Sequence, residues 1–400
     1  MTCRICTAPT REVLDLGTSP PANWLKVSPD DEEESYPLVL EWCETCDNVQ
    51  LRDTLPAETL YRDYLYVTPS SPSLDAHYET LISYLSGAGL IGPHSFVVEA
   101  GSNAGHFLQR LQPRVARVLG VDPAETIAEM AVASGVPTVC DYFNPESAGE
   151  IAARNGSADL VVARHCLAHN ETPHEMLDAA TRVLTQDGHL LIENAYVLTT
   201  LENTEFDQIY HEHMFYFSVT SMRALLALHD LRLVDVMLSR VHGGSIVFVA
   251  GRGAAGPTSE TVGHQLTRER PLFDTAAFAA FAQRTRTIRA DLRGLVTDLR
   301  VRGATIDTYG ATAKGNTLLN FAGLTNEHIR FCVDSTPLKQ GRFLPRSNIK
   351  VISEKAGAGD PPDYYLLTAW NYADEIASKV RAGGNVTSRF IVPIPEVRIV

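Results

Sequence analysis

Between residues 95 and 195 short apolar runs alternate with amphipathic stretches. The runs Phe96–Val98, Val118–Asp122, Pro137–Val139, Asp159–Ala163 and His189–Glu193 predict five strands, the last preceded by the turn Asp187-Gly188. Strands alternating with helical stretches predict a parallel sheet with helices on both faces. Residues 219 to 251 predict a helix (Ser221–Leu228) and two strands (Leu231–Leu238, Ser245–Ala250) around the glycine turn Val241–Ser245. Residues 275 to 300 predict a long Arg-rich amphipathic helix, read as a connector. The α/β pattern then restarts with strand Ala304–Tyr309, glycine turn Gly310–Gly315, a helix from Asn316 to Phe321, and strands Phe331–Asp334 and Tyr364–Ala369.

The first strand runs directly into Glu99-Ala-Gly-Ser-Asn-Ala-Gly105 and then into a helical pattern with Phe107, Leu108 and Leu111 on one face. A strand, a glycine turn and a helix N-terminus form a backbone platform for a polar or anionic ligand. Gly101 and Gly105 let the backbone approach that ligand without a Cβ in the way. The same pattern also serves as an ordinary strand-to-helix turn, and its spacing differs from the dinucleotide Gly-x-Gly-x-x-Gly. The second strand ends in Asp122, about twenty positions on, where a carboxylate meets ribose hydroxyls in nucleotide-binding half-sheets. Asp141 and Tyr142 follow the third strand, so polar residues close successive strands on one edge, where ligands of open α/β sheets sit.

Cys3-Arg-Ile-Cys6 and Cys43-Glu-Thr-Cys46 are two Cys-x-x-Cys pairs separated by 36 residues. Two such pairs supply four thiolates for a closed tetrahedral, structural Zn²⁺ site. The acidic run Asp30–Glu34 between them reads as a solvated loop. An aromatic cluster follows, Tyr61, Tyr64, Tyr66, Tyr78 and Tyr84, broken by Thr68–Ser73. It is either a helical connector or a lid whose tyrosines cover a cofactor.

Two further stretches carry candidate chemistry. His165 and His169 lie just past the fourth strand. Tyr210-His-Glu-His213 places four titratable side chains in a row among aromatics; it is not the His-Glu-x-x-His of zinc proteases. A histidine poised near neutral pH suits a general base. Lys314, near a helix N-terminus, suits a phosphate.

Composition narrows the classes. A length of 400 residues predicts two or three domains, and 44% hydrophobic with 20% charged residues is a globular balance. A net charge of −14 without a Lys/Arg cluster disfavours nucleic acid or an anionic membrane as partner. No apolar run reaches the roughly 18 residues of a membrane span, and no basic-then-apolar start reads as an export signal. The expectation is a cytoplasmic protein acting on a small molecule, with the oligomeric state open and a monomer compatible.

The ordered series of strands and loops resembles the class I S-adenosylmethionine-dependent methyltransferases. That resemblance implies that Glu99, Gly101, Asn103 and Gly105 form the first cofactor loop. It also implies that Asp122 and Pro123 meet the ribose, Asp141 and Tyr142 flank the adenine, and Tyr64 belongs to the cover. The whole chain resembles the sugar C-methyltransferases, which act on thymidine-diphosphate-linked keto-deoxysugars in antibiotic pathways. The matching stretches are the four cysteines, Val13-Leu-Asp-Leu-Gly17, Pro20-Pro-Ala-Asn23, Tyr64 to Ser73, Glu99 to Gly105, Asp207-Gln-Ile-Tyr-His-Glu-His213, Gly310 to Asn316 and Lys339-Gln-Gly341.

The implied fold is α/β: a zinc-binding module (1–55), a tyrosine-rich connector (56–94), a Rossmann-like methyltransferase domain (95–250) and a second Rossmann-like domain (251–400). The implied catalytic group is Tyr210, Glu212, His213 and His169, with His213 as base, alone or sharing the role with Tyr210, Glu212 orienting the pair and His169 binding the ketone or enolate oxygen. His165, Lys314 and Asn316 are the implied substrate contacts. Three departures mark this chain: Ala104 in a loop that usually reads Asn-Asp-Gly, Arg164-His165-Cys166 where Asn and small apolar residues are common, and Leu344–Ser347 for a Pro-Gly turn. The alternatives are an O- or N-methyltransferase with the same cofactor half, or a zinc-ribbon adaptor without activity. An NAD-type oxidoreductase lacks its loop spacing.

Overall fold

The computed structural model describes residues 1–56, 59–60, 72–253 and 256–400; Tyr61, Tyr64 and Tyr66 lie outside them. Among the described residues the strands form three sheets. The first holds β1 (Arg11–Ser19), β2 (Tyr36–Trp42) and β3 (Val49–Leu51) as an antiparallel meander beside the cysteine pairs.

The second sheet has seven strands. β4 (Phe96–Ala100) is buried at all five positions, as a central parallel strand covered on both faces must be. Its neighbours are β5 (Arg117–Val121), then β6 (Thr138–Val139) on one side, and β7 (Ala158–Arg164), then β8 (Leu184–Ala195) on the other, all parallel. The two-residue β9 (Phe215–Tyr216) leaves this region to pair with β3, Val49 opposite Tyr216. β10 (Leu231–Ser239) and β11 (Ser245–Arg252) return antiparallel beside β8, giving the order β10-β11-β8-β7-β4-β5-β6. Helix starts are locally specified: Asn144 and Ser147 make a reciprocal cap at Pro145–Asn155, and Ser218 and Ser221 another at Val219–Ala227.

The third sheet, order β14-β13-β12-β15-β16-β17, contains β12 (Ile306–Tyr309), β13 (Phe331–Val333), β14 (Lys350–Ile352), β15 (Tyr364–Leu367), β16 (Arg389–Val392) and β17 (Arg398–Ile399). It is parallel except for β17. The helix after β12 starts at Ala313, three residues earlier than the pattern suggests, because the Thr312 hydroxyl caps the Gly315 N–H at 3.0 Å.

The Arg-rich helix Thr275–Val301 does more than connect. Phe278, Phe281, Ile288, Leu292 and Val296 make a buried stripe shared with the first and third sheets, and Phe278 packs on Trp42 at 4.8 Å. Helix Pro72–Gly87 buries Leu74, His77, Tyr78 and Leu81 against the second sheet, with Tyr78 edge-on to Phe107. Among the described residues no helix is long and apolar enough to cross a membrane.

Candidate active site

The four cysteines converge. Their Sγ atoms lie within 4.8 Å of one another, with Cys3–Cys46 at 3.6 Å and Cys6–Cys43 at 3.5 Å. The contact with Cys46 favours the thiolate on Cys3, and the Ile5 N–H points at the same sulfur, 3.4 Å away. Four thiols in one closed cluster fit a structural Zn²⁺ with no open position.

The carboxyl ends of β4, β5, β7 and β8 surround a cavity of about 550 Å³, roofed by Leu74, His77 and Tyr78 of helix Pro72–Gly87. The glycine loop enters it with Gly101 at φ 65°, where a Cβ would stand 2.8 Å from Cys166 Cβ. Asp122, at the end of β5, accepts from the Asn103 N–H at 2.8 Å and the Ala124 N–H at 3.1 Å, so it shapes the loop and also lines the cavity with Pro123 and Tyr142. Asp141 lies outside the lining, accepting from the Tyr142 N–H. Glu99 is fully buried behind the loop, its Oε1 bound by Arg164 Nε and Nη2 at 2.9 and 2.8 Å. The cavity wall is Arg164 itself, together with His165, at φ 50°, and His169.

One hydrogen-bond chain joins two of the candidate catalytic residues. His213 Nδ1 lies 3.0 Å from the Gln208 carbonyl, which can only accept, so Nδ1 carries the proton. In the neutral ring this leaves the Nε2 lone pair facing the Tyr210 hydroxyl, 2.6 Å away. The His169 ring stands edge-on to His213 at 4.9 Å, and burial holds His169 down at about 4, neutral near pH 7. The Met214 N–H donates to the Ala168 carbonyl at 2.8 Å, tying the two loops together.

Three of the expected site residues have protein partners. The Gln208 carbonyl meets His213 Nδ1. Glu212 accepts from Asn23 Nδ2 at 2.7 and 2.8 Å, and burial pushes its carboxyl up to about 7. Lys314 stands over the Trp370 ring at 5.0 Å, and its charge opposes the burial-raised pKa values of Glu205 and Asp207. Asn316 donates to the Ala22 carbonyl, docking the third sheet's helix on the segment that carries Asn23. Sequence reasoning missed Asn23, Gln208, Arg164, Glu193 and His77 as site residues. Of these, Arg164 and Glu193 had a signal, being charged residues that end predicted strands.

Family models match three successive pieces of the chain: a zinc binding domain over residues 3–61, a methyltransferase domain over 74–236 and a C-methyltransferase C-terminal domain over 240–395. The molecule is thus an α/β methyltransferase, with S-adenosylmethionine as cofactor and a structural zinc held by Cys3, Cys6, Cys43 and Cys46. It is 39% identical to the C-methyltransferase NovU of Streptomyces niveus over 404 aligned residues, covering 100% of this chain and 96% of that protein. The chain belongs to this C-methyltransferase family. Solved structures overlap part of it. Magnesium protoporphyrin IX methyltransferase from Synechocystis PCC 6803 is 15% identical, over 50% of this chain and 100% of that one, at TM-score 0.38. The N-methyltransferase NodS from Bradyrhizobium japonicum is 16% identical, over 46% and 98%, at TM-score 0.36.

Proposed function

We propose that this enzyme methylates the carbon next to the ketone of a thymidine-diphosphate-linked keto-deoxysugar, through an enolate, in natural-product biosynthesis. The observation that carries the reading is the Gln208–His213–Tyr210 chain beside the cofactor cavity. Bound S-adenosylmethionine supplies an electrophilic methyl group. The protein must then remove a proton from the acceptor carbon and hold the oxygen on which charge develops. Tyr210 and His213 together remove the proton. The Tyr210 oxygen takes it from carbon as the hydroxyl's own proton passes to His213 Nε2. Neutral His169 donates to the ketone oxygen. The division into 1–55, 56–94, 95–250 and 251–400, with the last unit facing the sugar nucleotide, and action in the cytoplasm belong to this reading.

Tyr210→Phe and His213→Asn are each expected to lower kcat about 10²–10⁴-fold, the usual contribution of a general base, with cofactor affinity retained. Rates within about threefold of wild type for both would remove the assignment. An O- or N-methyl transfer needs no carbon-bound proton to leave, so product analysis of the methylated atom separates that alternative.

A further inference from the structure

The cavity lining differs in chemistry between its β5 end and its β7–β8 end. At the β5 end Asp122 and Tyr142 suit the adenosine. At the other end β7 and β8 run parallel with Arg164 directly opposite Glu193 in the register, and both residues line the cavity. Among the described residues Arg164 is the one Lys or Arg side chain in that lining.

Its guanidinium is fixed before any ligand arrives. It packs against the Tyr78 and Phe107 rings at 4.6 and 4.5 Å, and its Nε and Nη2 are held on one oxygen of buried Glu99. Glu99 does not take Nη1, the Tyr78 hydroxyl is a further hydrogen-bond partner of the group, and the Arg164 side chain keeps 12% of its surface exposed. Glu193 is fully buried. His77 Nε2 stands 2.7 Å from its Oε1, while Oε2 has no hydrogen-bond partner among the described residues. A buried carboxylate oxygen left unpaired costs stability unless a ligand donor completes it.

We propose that Arg164 and Glu193 form the receptor for the amino-acid end of the cofactor, Arg164 binding the methionine carboxylate and Glu193 the ammonium. A zwitterion needs one fixed charge of each sign at neighbouring positions, and the β7–β8 register supplies them. A guanidinium with its plane held by aromatic rings binds a carboxylate with little further loss of freedom. Of the acids that line the cavity, Asp122 accepts from the Asn103 and Ala124 N–H groups, and Glu171 and Glu175 accept from Thr54 and Thr172, whereas Glu193 stands opposite Arg164 in the register.

The test is calorimetric binding of S-adenosylmethionine and of its decarboxylated analogue to the zinc-loaded full chain. The wild type should prefer S-adenosylmethionine by about 10–100-fold, the range of a charged hydrogen-bonded pair. Arg164→Gln should lose most of that preference while binding the decarboxylated analogue within about threefold of wild type. Arg164→Lys should recover part of it. Glu193→Gln should weaken both ligands alike, yet leave affinity for the deaminated analogue unchanged. Equal wild-type affinity for the two ligands, measured without any substitution, would overturn the assignment. So would Arg164→Gln weakening both ligands equally.

Discussion

The second and third sheets contain nearly the same turn, put to different uses. In each, a central strand ends in a glycine at positive φ, Gly101 at 65° and Gly310 at 104°. In each, that glycine's N–H donates to the last residue of the neighbouring parallel strand at 2.8 Å, Val121 or Val333. In each, an aspartate just beyond that neighbour accepts from the turn: Asp122 from Asn103 at 2.8 Å, Asp334 from Ala311 at 2.7 Å. The first turn opens on the cofactor cavity. The second lies outside that cavity and is braced by its own sheet, with Thr368 Oγ1 on the Tyr309 carbonyl at 2.8 Å and Lys339 Nζ on the Ala311 carbonyl at 2.7 Å. The same strand–glycine–helix turn thus meets a cavity in one sheet and side-chain braces in the other.

The largest expected effect tests the scaffold around both turns. Chelating the zinc removes on the order of 10 kcal/mol from the folding of its module. Because β3 pairs with β9, just past His213, activity should fall along with the melting temperature. Calorimetric melting with zinc analysis checks this; an unchanged melt after complete zinc loss would mean that the cysteine cluster stands without metal.

Paired substitutions then separate the turns directly. Asp122→Asn should weaken S-adenosylmethionine by about 10–100-fold, since Asp122 holds the loop and lines the cavity. Asp334→Asn should leave that affinity unchanged and cost about 1–3 kcal/mol of stability, as a buried acceptor is altered. Equal cofactor loss in both would erase the distinction. Gly101→Ala and Gly310→Ala should each destabilise by about 1–3 kcal/mol, both meeting a Cβ contact below 3.0 Å at positive φ, but only the first should also reduce cofactor binding. Urea melts and titrations of the same samples decide.

The smallest effect concerns pH. Burial pushes Glu99 up to about 7 from its ordinary 4.5, against the opposing pull of Arg164. A carboxyl whose folded pKa is raised favours the fold below its unfolded pKa. That contribution is lost as pH rises through the folded value, here across about 4.5 to 7. Glu99→Gln should therefore flatten the decline in melting temperature over this window, read from melts at successive pH values.

Periodicity made the two Rossmann-like sheets legible, because short strand-like runs alternate with helical stretches around Phe96–Ala100 and again around Ile306–Tyr309. The cysteine spacing made the zinc site legible for the same local reason. Contacts set by tertiary register were not legible. β9 has two residues and no period of its own, yet it joins the reaction loop to the zinc module's sheet. Lys314 reads locally as a phosphate ligand; that it also stands over Trp370 and near the buried acids Glu205 and Asp207 depends on residues far along the chain. The opposition of Arg164 and Glu193 depends on strand alignment, which composition does not reveal. The orienting group for His213 is a main-chain carbonyl, invisible to any side-chain motif.

The most direct test of carbon methylation is proton exchange at the acceptor. A thymidine-diphosphate-linked keto-deoxysugar would be incubated in deuterium oxide with S-adenosylhomocysteine and either wild type or Tyr210→Phe, and the recovered sugar weighed by mass spectrometry against an enzyme-free control. With wild type the sugar should gain one deuterium next to the ketone, and with the variant almost none. No gain with wild type, or equal gain with both, would contradict proton removal by the Tyr210–His213 pair.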